Sequence, residues 1–185
     1  MAVDEVSDEG LVGRARRGDT SAQRELFVNH APAVARLLRR LLGRDVDVED
    51  GVQHTFLVAF ERLNDLQRPD LFRQWVLTIA TRHARRAYWF DKLRKVVRLE
   101  TSSEDSSLWD ARELSSGLAA DERAELVFAG RRLAGLPMSL REPWVLRFVE
   151  GFSLEEIADI CGCSLATTKR RLDQAQRGIE GAQKR

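Results

Sequence analysis

Any chemistry along this chain has to come from charge and aromatic rings, because the usual catalytic constellations are missing. His30, His54 and His83 fall on three different predicted helices, and no nucleophile elbow, glycine-rich phosphate loop, HExxH or CxxC spacing accompanies them. Cys161 and Cys163 lie two positions apart and cannot assemble a four-ligand zinc set with three scattered histidines. They read as small buried apolar side chains, with a redox-sensitive thiol as the alternative. No catalytic residue, metal or cofactor is expected, and a binding protein is favoured over an enzyme. Chemistry does concentrate in Phe72–Arg98. Eight Arg/Lys (Arg73, Arg82, Arg85, Arg86, Lys92, Arg94, Lys95, Arg98) stand there against a single acid, Asp91, in a chain whose totals are 30 and 29. A local excess of that kind is the footprint of a polyanion. Tyr88, Trp89 and Phe90 are set among these cations, and rings beside Arg/Lys suit unpaired bases better than a closed duplex. On this stretch alone the plainer alternative stays open: a solvated basic helix whose aromatics finish a core.

The elements that must hold this stretch are helical. Phe72, Trp75, Val76, Ile79, Ala80, His83, Ala84 and Ala87 recur at i, i+3, i+4 and share one face, which predicts a buried first half. Upstream, Asp4–Glu9 reads as a frayed acidic leader. Leu11 to Leu42 reads as two helical pieces, with Asp19 or Thr20 capping the first and Pro32 in the first turn of the second. An acidic turn, Asp45–Asp50, then leads into a helix over Val48–Leu63. Its apolar residues Val52, Phe56, Ala59, Phe60 and Leu63 leave Glu49, Asp50, Gln53, His54 and Leu57 on the outside. The loop Asn64–Asp70, with Pro69, ends that helix.

Composition shifts after Arg98. Leu99–Ala119 carries six Ser, one Thr, five acids and one Arg, and reads as a flexible linker in which Trp109, Leu108 and Leu114 hint at local structure. Helices follow over Asp121–Ala134 and Ser139–Glu150. Ser153-Leu-Glu-Glu156 is then a capping box opening a short helix, Leu154–Cys161, that stops at Gly162. Ser164 caps a longer helix, Leu165–Ile179, with Thr167, Thr168, Lys169, Arg170 and Arg171 in its first turns. A short helix, a tight turn holding Gly and a longer basic-fronted helix make a helix-turn-helix, whose second helix enters the major groove.

At 185 residues and 43% apolar content the chain can fill two small cores, and its net charge of +1 means that any nucleic-acid surface arises by segregation of charge. The N-terminus is acidic and no apolar run is of spanning length, so no membrane insertion and a cytoplasmic location are expected. No strand alternation is present. The fold expected is all-α, in two small helical domains joined by a flexible acidic linker: residues 1–98, 99–119 and 120–185.

Two DNA-suited domains joined in this way resemble the extracytoplasmic-function sigma factors of bacterial RNA polymerase. LFVNHAPAVARLLRRLLGRDVDVEDGVQHTFLVAFERL followed by FRQWVLTIATRHARR is similar to their region 2, with its D-x-E-D-x-x-Q-x-x-F and F-x-x-W-[LV]-x-x-I-A segments. LPMSLREPWVLRFVEGFSLEEIADICGCSLATTKRRL is similar to region 4. The resemblance implies a dissociable subunit that binds core RNA polymerase, at its clamp helices and flap, and directs promoter recognition, melting and initiation. Asp50, Gln53, His54 and Leu57 would grip the clamp helices. Arg82, His83, Arg85, Arg86, Tyr88, Trp89, Lys92 and Arg94 would read and open the minus-ten element. Ser164, Ala166, Thr167, Thr168, Lys169, Arg170 and Arg171 would read the minus-thirty-five element. Further expected partners are promoter DNA and an anti-sigma factor, with a monomer when free. Gly51 stands where the family usually has Leu or a similar apolar residue, His54 where an acid is usual, and Ala166 and Thr168 replace a common Gly and Val. Two other readings compete: a sigma-like module that sequesters an anti-sigma factor without touching DNA, and a helix-turn-helix regulator using only its C-terminal domain. The first has no need of the basic-aromatic stretch, and the second leaves Val48–Arg98 unexplained.

Overall fold

A computed structural model describes residues 7–42, 48–98 and 130–180 of the chain. The linker, the turn before Val48 and most of the expected Asp121–Ala134 helix lie outside these residues, although residues 130–135 are helical. Every regular element among the described residues is helical.

The N-terminal unit begins with α1, Asp8–Arg16, whose first turn is closed by the Ser7 hydroxyl accepting from Gly10 N–H. Asp8 and Glu9 therefore belong to a helix rather than to a frayed leader. Asp8 is also held by His30, whose Nε2 lies 2.9 Å from the carboxylate. The break that follows falls at Gly18, where φ is +88°, and Asp19 caps the next helix by accepting from Ser21 N–H at 2.9 Å and Ala22 N–H at 3.2 Å. Hydrogen bonds from the Ser21 hydroxyl and Arg14 hold the Asp19 carboxyl well below the usual carboxylate range.

One helix, α2, then runs from Thr20 to Leu42 without the expected restart at Pro32. Proline removes one backbone donor. The helix nevertheless continues because its buried stripe stays in register on both sides, from Ala22 and Leu26 through Ala33, Val34, Leu37, Leu38 and Leu41. α3 spans Val48–Glu61, and 3₁₀ turns at Leu63–Asp65 and Pro69–Leu71 replace the expected open loop. Arg16 clamps the first of these turns by donating from Nε and Nη2 to Leu63 C=O, at 3.2 and 3.1 Å, and also to Leu66 C=O.

The basic-aromatic stretch forms a single helix, α4, over Phe72–Arg98. Its first half is packed against α2 and α3, with Phe72, Val76, Leu77, Ala80 and Ala84 fully buried. Leu77 and Thr81 lie beside the expected apolar stripe and are buried too, since α4 is covered on more than one side. Thr55 and Thr81 satisfy their buried hydroxyls by donating to Gly51 and Leu77 carbonyls one turn earlier.

The C-terminal unit holds residues 130–135, α5 (Met138–Phe148), α6 (Leu154–Cys161) and α7 (Leu165–Glu180). Its core is Leu133, Met138, Val145, Leu146, Phe152, Ile157, Ile160, Leu172 and Ala175. Trp144 Nε1 donates to Gln176 Oε1 at 3.0 Å and ties α5 to α7. The capping box is formed in both directions: Glu156 N–H donates to Ser153 Oγ at 3.2 Å and Ser153 N–H to Glu156 Oε2 at 2.7 Å. Gly162, at φ +62°, ends α6 with its own N–H and that of Cys163 turned back onto α6 carbonyls.

Ser153→Ala removes one half of this box. The substitution should lower unfolding free energy by about 1 kcal/mol in chemical denaturation, with Ser153→Thr close to wild type.

Candidate nucleic-acid and protein interfaces

Helical spacing decides which of the sequence-derived residues can meet a partner. On α3, Asp50, Gln53, His54 and Leu57 follow one another at i, i+3, i+4 and i+7, and all four are exposed. The opposite side of the same helix is buried through Val52, Thr55, Phe56 and Ala59. α3 thus offers a flat, mixed polar and apolar strip backed by core.

Gly51 is buried next to this strip. A Cβ placed there would stand 2.8 Å from Leu38 Cδ1 and 3.4 Å from His83 Nε2. A larger side chain at this position would first displace the end of Leu38, with the His83 ring closing the other side. His83 also stacks on His54, with centroids 4.6 Å apart. It faces α3 rather than the surface carrying the arginines, so its expected place among nucleic-acid contacts gives way to one between the two helices.

The rest of the α4 set divides by direction. Arg82, Arg86, Trp89, Lys92 and Arg94 are exposed. Trp89 is 56% exposed, and the Lys92 ammonium sits 5.3 Å from its ring centroid. Tyr88 is partly buried against the core and meets Trp89 edge to face at 5.8 Å. It supports the outer ring more than it extends the surface. Phe90 and Leu93 are more exposed than Trp89. Phe90 belongs to the aromatic run read from the sequence, whereas Leu93 was not singled out; its position off the buried i, i+3, i+4 stripe was the available signal. Arg85 is drawn away from solvent, with Nε donating to Glu142 Oε2 at 3.0 Å and Nη2 donating to the Ile160 carbonyl at 2.8 Å. The carboxylate holds this guanidinium protonated more firmly than usual.

On α7, Ser164 caps the helix by accepting from Thr167 N–H at 3.2 Å. Ala166, Lys169 and Arg170 are exposed, Thr167 and Arg171 are half-buried, and Thr168 is fully buried. Thr168 fills an interior place that suits the valine of similar volume usual in the family, with its hydroxyl donating to Ser164 C=O at 3.3 Å. It faces the core and not a groove. Arg171 turns back toward Cys163, with Nη1 3.6 Å from Sγ. Burial, followed by the Glu142 carboxylate 3.5 Å away, pushes the Cys161 thiol far above its ordinary range. That supports the structural reading of this cysteine over a reactive thiolate.

Against known proteins, sigma-70 region 2 matches residues 26–94 and sigma-70 region 4 matches residues 129–176. The ECF RNA polymerase sigma-E factor of Escherichia coli K12 is 28% identical over 184 residues, covering 96% of this chain and 94% of that protein. The sigma-E factor of Haemophilus influenzae is equally similar, with 95% of its length covered. Among solved structures, CnrH in complex with the cytosolic domain of CnrY is 28% identical, with a TM-score of 0.64 over 96% of this chain and 97% of that one. The sigma factor RpoE from Bartonella quintana, solved with the anti-sigma factor NepR, shares the fold at 21% identity and a TM-score of 0.61, over 87% of this chain and 96% of that one. The chain belongs to the sigma-70 family, in its extracytoplasmic-function group. It is a transcription initiation factor and not an enzyme. Among the described residues no helix is long and apolar enough to cross a membrane.

The close packing of Leu38 on Gly51 has a measurable consequence. Gly51→Leu should cost about 1–3 kcal/mol of stability by overpacking. In a double-mutant cycle followed by denaturant midpoint, Leu38→Ala should cost less in the Gly51→Leu background than in wild type.

Proposed function

We propose that the two halves divide initiation between them. Residues 1–98 hold the clamp helices of core RNA polymerase through Asp50, Gln53, His54 and Leu57, and open the minus-ten element with α4. Residues 120–185 read the minus-thirty-five element through the exposed first turns of α7, chiefly Ala166, Lys169 and Arg170. Residues 99–119 join the two as an acidic linker. The apolar pair Phe148 and Val149, exposed at the end of α5, suits a contact with the polymerase flap. The protein acts in the cytoplasm, is a monomer when free, and is held in check by an anti-sigma partner.

The observation that carries this reading is on α4. A ring that is open to solvent, Trp89, is flanked by Arg86, Lys92 and Arg94 on a helix whose other end is locked in the core. A base lifted from the duplex would find a stacking face and phosphate donors on one rigid support. The polymerase strip on α3 belongs to the same bundle, so DNA and enzyme would be held in fixed relation.

Trp89→Ala should leave folding and polymerase affinity unchanged and slow open-complex formation by the equivalent of about 1–3 kcal/mol, the worth of one stacked base. Permanganate reactivity of thymines in the minus-ten region would report it, and a pre-melted template should restore the rate. An unchanged opening rate would move the melting surface off this helix. Tyr88→Ala should instead lower the stability of the bundle.

A further inference from the structure

The C-terminal unit lies against the N-terminal bundle, and the polar contacts between them join arginines to carboxylates and carbonyls. Arg85 of α4 makes two hydrogen bonds to Glu142 of α5 and a third to the Ile160 carbonyl of α6. Glu150, just after α5, takes Arg40 of α2 at 3.2 Å on one oxygen and Arg73 of α4 at 2.8 Å on the other. In the reverse direction, Arg141 Nη1 donates to the Leu41 carbonyl at 2.8 Å. The Glu142 and Glu150 side chains are only 4% and 5% exposed.

Two carboxylates are thus buried by arginines that belong to another folded unit. Burying an ion pair carries a desolvation cost that nearly cancels its attraction, so a contact of this kind can be exchanged at little net expense. A guanidinium fork accepts a carboxylate and a phosphate in the same geometry. Arg85 lies one turn from both Arg82 and Trp89, in the middle of the surface assigned above to DNA. Arg82 itself lines a cleft between the units whose far wall carries Phe152, Glu156 and Asp159 of the C-terminal unit. Promoter elements about two helical turns apart, at about 34 Å per turn, are too widely spaced for two units in direct contact to read at once.

We propose that in the free chain Glu142 and Glu150 occupy the phosphate seats of the N-terminal arginines, so that docking of the C-terminal unit and binding of DNA by the N-terminal unit exclude one another. The chain carries its own competitor for the minus-ten strand. This rests on the reading that α4 meets DNA. Opening should be favoured by DNA itself, whose phosphates compete for the same guanidinium groups.

The test uses the full-length chain with Glu142→Gln and Glu150→Gln together, which keep side-chain size and remove the charge. Solution X-ray scattering should show a compact wild type and an expanded variant. Anisotropy with a labelled single-stranded oligonucleotide should show binding about tenfold tighter in the variant, with a steeper salt dependence as phosphate contacts replace internal ones. Excess oligonucleotide should also expand the wild type. A wild type already expanded at low salt, or an expanded variant that binds no tighter, overturns the proposal. If the amide variant loses helix content by circular dichroism, the charge swap decides: Arg85→Glu should expand the chain, and adding Glu142→Arg should close it again. A swap that stays open overturns the proposal too. Failure of the wild type to start transcription with core polymerase would count against the functional reading, whereas DNA binding indifferent to both carboxylates counts against this inference alone.

Discussion

Burial of the first half of α4 between α2 and α3 is the constraint on which the rest of the N-terminal unit depends. Phe72, Val76 and Leu77 are fully withdrawn from water, and each such side chain contributes about 1.5–3 kcal/mol relative to exposure. Ala80 and Ala84, also fully buried, continue the same face with small side chains. Where α3 crosses this face, Gly51 lies close against Leu38 and His83. The same 27-residue helix carries on to Arg98. The direction of Trp89 and of the cations around it is therefore set by packing several turns away. A reading surface built on a loop would lack that leverage, because its side chains would have to be ordered at the moment of binding.

The two halves share one apolar cluster, and charge is added to it at their seam. Within each unit apolar cores are stitched by polar ties such as Arg16 to the Leu63 carbonyl and Trp144 to Gln176. Between the units the polar contacts are guanidinium to carboxylate or carbonyl, the partners for which DNA would compete on the proposal above. This arrangement also explains how a chain with net charge +1 can serve a polyanion. Two of its acids, Glu142 and Glu150, face Arg85, Arg40 and Arg73 across the seam, and on the proposal above they offset those arginines until something more negative replaces them.

Much of this was legible in the residues because it is local. The i, i+3, i+4 recurrence through Phe72–Ala87, the Ser153–Glu156 box and the stop at Gly162 each rest on neighbours within a turn or two. Pro32 misled as a helix start because a proline's preference for first turns is a statement about isolated helices, and here the buried stripe of α2 runs through it. His83 and Tyr88, expected among the nucleic-acid contacts, are both half-buried, His83 on the helical spacing of the buried recurrence and Tyr88 against the core. Thr168 was similarly drawn in by its basic neighbours while its own position pointed inward. Illegible altogether were the pairings of Arg85 with Glu142 and of Arg40 and Arg73 with Glu150. These residues are brought together by tertiary docking across more than fifty positions of sequence, and no periodicity marks them.

The account turns on this single chain giving core RNA polymerase its promoter choice through two separately folded readers. Run-off transcription with purified core enzyme and a library of randomised templates tests that claim most directly. The expected result is initiation that depends on the chain, at start sites preceded by two non-palindromic elements about two helical turns apart. No initiation above core enzyme alone, or selection of palindromic sites bound by a dimer of the chain without polymerase, would contradict it.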